Sequence, residues 1–260
     1  MQRVLVMLAL AATVGVVAEG AQRTAPQTNT EAELRARAER GDSQAQYDLG
    51  MGCGFQPDFK QAVAWFRKAA EQGHAKAKHS LGLLSNSGHG VAQDEAQAVA
   101  WYRQAAEQRL PKAQCSLGVS CAKGSGVPHD DVQAVAWYRL AADQGDADAH
   151  TALGLMYVTG RGVPQDDAQA TTWWRKAAGQ GHAAAQFYLG SMYATGLGVR
   201  EDGVQALKWL DFAASRASGD EPAKFIKARD AAAKGMTTAQ VSQAQRRAKT
   251  WTAAFRPRQT

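Results

Sequence analysis

Cysteine is scarce in this chain, which has only three among its 260 residues: Cys53, Cys115 and Cys121. An odd number leaves at least one free thiol in an oxidising compartment. Cys115 and Cys121 are separated by about 9 Å along one predicted helix, whereas a disulfide requires Cα atoms within about 7 Å of each other. We therefore expect no structural disulfide.

Long apolar runs are absent except at the beginning of the chain. Arg3 is followed by an uncharged, mostly apolar run from Val4 to Ala18, and Ala18 and Gly20 are candidate cleavage positions. This layout is typical of a secretory signal peptide, and the run is too short to span a bilayer comfortably. We therefore expect a signal peptide at residues 1–20, a polar linker at 21–30, and export to the periplasm or beyond. We expect no membrane-spanning segment; a buried N-terminal helix is the alternative.

Acidic residues are scarce near the C-terminus. Residues 223–260 contain nine Lys and Arg residues and one Asp, whereas the rest of the chain sums to −2 within a total of +6. Nucleic acid is a poor match for an exported protein, so we expect no nucleic-acid partner. We interpret the basic stretch as a solvated face, with binding of an anionic surface as the alternative. The cations available for that alternative are Arg246, Arg247, Lys249, Arg256 and Arg258.

The most regular feature of the sequence is a repeat of 36 residues. Four of five repeated tryptophans are followed sixteen residues later by a Leu-Gly pair, and a further pair, Leu49-Gly50, opens the series. A fixed period of this length indicates an array of two-helix units rather than an enzyme fold. The tryptophans are Trp65, Trp101, Trp137, Trp173 and Trp209.

An aspartate begins the second helix of each predicted unit, and a glutamine follows three residues later. Such an aspartate can accept a hydrogen bond from an unpaired backbone N–H at the helix start, and the glutamine can reach back to the backbone N–H of the cap. The pattern predicts helix caps rather than catalytic acids. The pairs are Asp58 and Gln61, Asp94 and Gln97, Asp130 and Gln133, Asp166 and Gln169, and Asp202 and Gln205.

The residues after each cap predict how the helices pack. Ala98, Trp101, Ala105 and Ala106 recur at helical spacing, which predicts a core stripe with one large ring per layer. The glycine of Leu-Gly costs about 1 kcal/mol of helix propensity, so its repetition indicates close approach of a neighbouring helix. Glycine also ends the second helices, except where Arg109 takes its place; the glycines are Gly73, Gly145 and Gly181.

The repeated pattern A-x-x-x-LG-x-x-Y-x-x-G-x-GV-x-x-D-x-x-x-A-x-x-WYRKAAEQG resembles the Sel1-like repeat family, relatives of the tetratricopeptide repeats. The resemblance covers about residues 33–217. It implies an all-α, right-handed superhelix (solenoid) of about five helix pairs with a concave inner face. It also implies a role as an adaptor or binding partner of other proteins. We expect the array at residues 31–217 and capping helices with a basic tail at 218–260.

Several positions depart from the family pattern. The tyrosine after Leu-Gly is kept as Tyr157 and Tyr193, but it is replaced in the first three repeats, where looser packing is expected; the replacements are Cys53, Ser85 and Cys121. At the two ends, Glu33 replaces the repeated tryptophan, and Thr237 with Gln240 predicts a capping box on a closing helix.

Non-repeated positions on the first helix of each unit are the candidate binding site. In helix-pair superhelices this helix lines the inside, and its inward positions lie five and two residues before the leucine and two after it. These positions form an apolar to amphipathic row, as in peptide grooves; an idle solvent-exposed wall is the alternative. We expect a partner segment to contact Tyr47, Lys76, His79, Leu83, Lys112, Thr151, Leu155 and Phe187.

These observations predict a non-catalytic, monomeric scaffold that binds another protein or peptide, as a periplasmic regulator without metal or cofactor. The alternative is a cell-envelope enzyme of the penicillin-recognising, β-lactamase-like kind, because Ser120 and Lys123 match its S-x-x-K motif. No KTG or SDN partner motif accompanies that match. A metal shared by His79 and Cys115 would have too few ligands.

Overall fold

The structure is a computed structural model that describes residues 31–55, 58–216 and 221–254. The predicted signal peptide and linker lie outside the described residues. Within the described ranges the chain forms thirteen α-helices and no strand. The predicted all-α solenoid of helix pairs is therefore confirmed.

Five helix pairs form the body of the array. The first helices are α2 (Ser43–Phe55), α4 (Ala75–Ser87), α6 (Pro111–Lys123), α8 (Ala147–Thr159) and α10 (Ala183–Thr195). The second helices are α3 (Phe59–Glu71), α5 (Glu95–Glu107), α7 (Asp131–Ala142), α9 (Asp167–Gly179) and α11 (Gly203–Arg216). Three further helices flank the pairs: α1 (Glu31–Glu39), α12 (Glu221–Ala233) and α13 (Thr238–Ala254).

The predicted aspartate caps are present, but the glutamine plays a different part. Asp130 Oδ1 accepts from the backbone N–H of Gln133 at 2.9 Å, and the other four caps do the same. The backbone N–H of Asp130 donates instead to the carbonyl of Cys121 at 2.9 Å, so the reciprocal half of the box is not formed there. Gln133 Oε1 accepts from the Cys121 thiol at 3.1 Å, so this side chain joins the two helices of its repeat.

The closing helix α13 has the full capping box. Thr237 N–H donates to Gln240 Oε1 at 2.8 Å, and Gln240 N–H donates to Thr237 Oγ1 at 3.3 Å.

The Leu-Gly pair marks the closest contact within each helix pair. A Cβ added to Gly118 would lie 2.5 Å from Tyr138 Cε1, and one added to Gly50 would lie 2.5 Å from Phe66 Cε1. Close helix approach at this glycine, which the sequence predicted, is therefore confirmed. The side chains packed on the five glycines are Phe66, Tyr102, Tyr138, Trp174 and Leu210.

The expectation that the repeated tryptophan supplies the buried ring of each layer is wrong in the first four repeats and holds in the fifth, where Trp209 is 7% exposed. In the first four repeats the residue after the tryptophan is the buried ring: Tyr102 is 4% exposed and Trp174 is 2% exposed. Trp101 is only partly buried and packs against the core of the preceding repeat. The repeated tryptophans before Trp209 are partly exposed side chains, and Trp101 shows that this position can join one repeat to the previous one.

The looser packing expected of the first three repeats does not appear as solvent exposure in the second and third of them. Ser85 and Cys121 replace the family tyrosine, yet each is 2% exposed. Ser85 Oγ donates to Gln97 Oε1 at 3.2 Å. The three cysteines are free thiols, with Cys115 and Cys121 buried and Cys53 partly buried.

Candidate partner-binding face

Side chains of α2, α4, α6, α8 and α10 that are not committed to the core form one continuous surface, here termed the first-helix face. Side-chain contacts join the first helices of successive repeats along this surface. His79 Nε2, on α4, lies 3.0 Å from Ser116 Oγ on α6. Lys112 Nζ, also on α6, donates to Asp148 Oδ2 on α8 at 2.7 Å.

The N-terminal edge of this face carries a ladder of polar contacts between successive repeats. At each of three junctions the N-cap residue of one first helix contacts the residue five before the leucine in the preceding helix. His74 Nε2 is 3.2 Å from Gln44 Oε1, and His182 Nε2 is 2.9 Å from Asp148 Oδ1. Asp146, the cap of α8, lies 3.1 Å from Lys112 Nζ.

The ladder is interrupted between the second and third repeats. The cap position of α6 is occupied by Leu110, which makes no side-chain cap hydrogen bond. A leucine side chain offers no acceptor to the exposed Lys76 ammonium at the preceding position. At this junction the cap that would correspond to His74, Asp146 and His182 is therefore apolar, and Lys76 is an exposed cation.

Charge and burial act against each other at Lys112 and Asp148. Burial disfavours the charged form of Lys112, but the carboxylates of Asp148 and Asp146 outweigh it and raise the pKa of the ammonium. The hydrogen bond from His182 and the pairing with Lys112 hold the pKa of Asp148 well below its usual range. Both groups are therefore ionised across the physiological range.

His79 is neutral in the folded protein. Burial, together with the nearby positive charge of Lys112, lowers the pKa of its imidazole to about 4. Its ring packs against that of Tyr102 with centroids 5.5 Å apart. A neutral imidazole beside Ser116 can donate or accept one hydrogen bond toward a bound peptide group.

Apolar side chains lie next to this polar edge. Leu83 packs at the border of the core around Tyr102, and Leu155 does so at the border of the core around Trp174. Val119 lies between them and packs on the third repeat. All three are partly exposed, so three adjacent first helices share one apolar stripe.

The structure places the eight predicted contact residues in different environments. Lys76 and Lys112 are exposed, and Tyr47, His79, Leu83 and Leu155 are partly exposed. Tyr47 stacks on the His74 ring at 4.8 Å. Thr151 is only 7% exposed and donates to the carbonyl of Ala147 at 2.8 Å, so it supports the face rather than presenting a surface.

Phe187, the last predicted contact residue, is covered by a capping helix. Its ring stacks on Phe225 of α12 with centroids 4.7 Å apart, and Lys224 Nζ lies 4.8 Å from its centroid. The position of the apolar stripe in the fifth repeat is Ser191, so the stripe ends at Leu155, and Phe187 in the neighbouring row is partly covered by α12.

Sequence reasoning missed the cap residues of the edge ladder as part of the site. His74, Asp146 and His182 are the cap residues that contact predicted members of the row. Their position directly before each first helix was the available signal, because N-cap side chains of adjacent repeats recur at the same register.

The residues that suggested other chemistry do not form an open site. Ser120, of the S-x-x-K match, is 7% exposed inside α6, so a substrate has no access to its hydroxyl. Among the residues that the structure describes, no group of three His, Cys, Asp or Glu side chains could hold a metal ion. No helix in these ranges is both long and apolar enough to cross a membrane.

The stacked helix pairs with a variable first-helix face define a helical-repeat protein. Five segments match the family model of the Sel1 repeat, at residues 43–74, 75–110, 111–146, 147–182 and 183–218. Each match begins at the first residue of a first helix. The chain therefore belongs to the Sel1 repeat family, whose members are generally protein-interaction scaffolds and whose fold is typically non-catalytic.

Solved structures show the same fold. The chain is similar to c5321, a protective antigen of uropathogenic Escherichia coli strains with an SLR fold, at 39% identity and a TM-score of 0.71, over 86% of this chain and 48% of that one. It is similar to a Sel1 repeat protein from Oxalobacter formigenes at 37% identity and a TM-score of 0.67, over 76% and 58%. The chain thus spans about half the length of these two relatives.

A more distant likeness concerns the fold alone. It is to the immunity protein PA5088 from Pseudomonas aeruginosa, at 23% identity and a TM-score of 0.53, over 81% of this chain and 82% of that one. The comparison with curated proteins finds no match.

Proposed function

We propose that this protein is an exported adaptor that holds an extended segment of a partner protein on its first-helix face, which we take to be the concave side of the solenoid. The observation that supports this proposal is the apolar stripe, in which Leu83, Val119 and Leu155 are partly exposed on three adjacent first helices. Partly exposed apolar side chains next to fixed polar groups suit peptide capture, because burial supplies affinity and the polar groups set register.

Lys76 and the Lys112 pair give this surface a chemical preference. Lys76 is exposed, and the cap of the following first helix is the apolar Leu110. Lys112 is already paired with two carboxylates. A partner carboxylate therefore gains most at Lys76, where it meets a cation without displacing an existing pair. The proposed segment carries apolar side chains along the stripe and an acidic group at the second repeat.

Substitutions on the two sides of the array test the proposal. In a cross-linked cell envelope, Leu83→Asp with Leu155→Asp should abolish partner capture, and Lys76→Glu should weaken it. Leu140→Asp is the matched control, because this leucine is 48% exposed on the second helix α7. Circular dichroism should show the same helix content in all variants. Equal capture by the stripe variant and the control would show that the face is an idle wall.

Export is tested separately. Cell fractionation should place the protein outside the cytoplasm, and mass measurement of the mature chain should show loss of about the first twenty residues. A cytoplasmic chain that retains Met1 would contradict the export proposal and leave the binding face to be tested by itself.

A further inference from the structure

The two ends of the array carry complementary halves of a helix pair. At the N-terminal end, α1 has the register of a second helix: Gly41 has a φ of 97°, like Gly73 at 88°, and Asp42 Oδ1 accepts from Ala45 N–H as a cap of α2. In this register Leu34 takes the position of the side chains that pack on the Leu-Gly glycine. Leu34 is partly exposed, and no first helix precedes α1 within the described residues.

At the C-terminal end, α12 has the register of a first helix. Phe225 follows Leu189 by one period of 36 residues and is 2% exposed, as the leucine of a Leu-Gly pair would be. Ile226 therefore stands at the glycine position, where a second helix packs in the five repeats. Ile226 is 39% exposed.

The last helix does not complete this pair. α13 packs mainly on α11 rather than on α12. Its Ala244 is fully buried, and Ala248 packs on the core that contains Trp209 and Phe212. The side of α12 that presents Ile226 thus lacks the second helix that covers the equivalent side of α4, α6, α8 and α10.

We propose that α12 of one copy packs against α1 of a second copy, so that Ile226 meets Leu34 and the two arrays join head to tail. The contact uses the helix register of the pairs that each chain forms five times between its own helices, but Ile226 in place of the glycine keeps the two helices further apart than in those pairs. Within the residues that the structure describes, opposite ends of the chain supply a first helix and a second helix whose pairs are incomplete. This proposed association differs from the monomer that we predicted from the sequence.

Charge favours this orientation over the symmetric ones. Residues 31–55 contain five Asp and Glu against three Lys and Arg, whereas residues 221–254 contain seven Lys and Arg against two Asp and Glu. Two basic ends repel each other, but the basic end of one copy attracts the acidic end of the next. A heterologous contact of this kind does not close on itself and extends into a chain of copies.

The experiment is sedimentation velocity of the full chain over an about 100-fold range of concentration. The wild-type protein should form a concentration-dependent series of oligomers. Ile226→Asp alone and Leu34→Asp alone should each weaken self-association by at least about tenfold. An equimolar mixture of the two variants should form a heterodimer and nothing larger, because each retains one intact end.

Controls separate this result from misfolding and from other modes of association. Leu140→Asp, at a similarly exposed leucine away from both ends, should associate as the wild type does. If circular dichroism shows that Leu34→Asp unfolds α1, Leu34→Ser replaces it. A monomeric wild-type protein would overturn the proposal. So would variants that still associate alone, or an associating wild type whose two variants do not combine.

Discussion

Lys112 and Asp148 occupy the same position of two consecutive repeats, yet they carry opposite charges and are joined at 2.7 Å. An array built from identical units would place like charges at this distance and repel itself. The third and fourth repeats therefore differ in a complementary way at the N-terminal edge of the first-helix face. It connects the third and fourth repeats, and His182 extends the connection to the fifth.

The pair should contribute little to stability despite its short distance. The Lys112 side chain is 57% exposed and that of Asp148 is 50% exposed, so solvent screens the attraction. A double-mutant cycle with Lys112→Met and Asp148→Asn, followed by urea unfolding, should give a coupling below about 1 kcal/mol that shrinks as salt is added. A larger coupling that is insensitive to salt would contradict this screening.

Glycine to alanine substitutions should have opposite effects at two helical sites. At Gly118 a Cβ would lie 2.6 Å from Tyr138 Cδ1, so Gly118→Ala should destabilise the protein by about 1–3 kcal/mol through overpacking. At Gly52 no atom lies within 4 Å of the added Cβ, so Gly52→Ala should stabilise α2 by about 1 kcal/mol. Thermal unfolding of the two variants compares them directly, and equal effects would show that ring packing does not decide the Leu-Gly position.

These packed glycines also show which features of the fold could be predicted from the sequence. The period, the aspartate caps and the Leu-Gly contact follow from local rules and were predicted correctly. The pattern could not decide which of Trp101 and Tyr102 is the buried ring, because both are apolar and neighbours on a helix differ by only about 100°. Tertiary contacts decide it, since only Tyr102 lies opposite Gly82.

The candidate site was less predictable than the fold. Each first helix could be assigned from its own repeat, and seven of the eight predicted contact residues are at least partly exposed. The cover on Phe187 could not be assigned in this way, because Phe225 belongs to a helix outside the tryptophan repeat. The edge ladder was also missed, since each of its contacts joins two repeats that differ in residue type.

Arg109 should be replaceable by glycine with a gain in stability. It has a φ of 61° at the helix end where Gly73, Gly145 and Gly181 have values of 88°, 85° and 90°. A left-handed conformation strains a residue with a Cβ by about 1 kcal/mol. Arg109→Gly should therefore raise the unfolding free energy by up to about 1 kcal/mol, measured in urea. Gly145→Ala is the reverse substitution and should lower it by a similar amount.

Stability should fall as the pH drops from about 6.5 to about 4, and His79 should be a main cause. Its pKa is about 4 in the folded protein, because burial and the charge of Lys112 disfavour the imidazolium. In the unfolded chain a histidine has a pKa of about 6.5. The unfolded state therefore binds a proton in this window that the folded state does not, which favours unfolding as the pH falls.

The size and origin of this slope can be measured with one variant. The depression of the His79 pKa lowers the unfolding free energy by at most about 3 kcal/mol. This loss is zero above about pH 6.5 and grows as the pH falls from about 6.5 to about 4. Burial also lowers the pKa of His74 and His150, so part of the slope remains without His79. Urea unfolding of His79→Gln should show a shallower decline over this window than the wild type, because glutamine does not titrate. An unchanged decline would mean that His79 is hydrated enough in the fold to accept its proton, and the neutral imidazole assigned to the binding face would then be wrong.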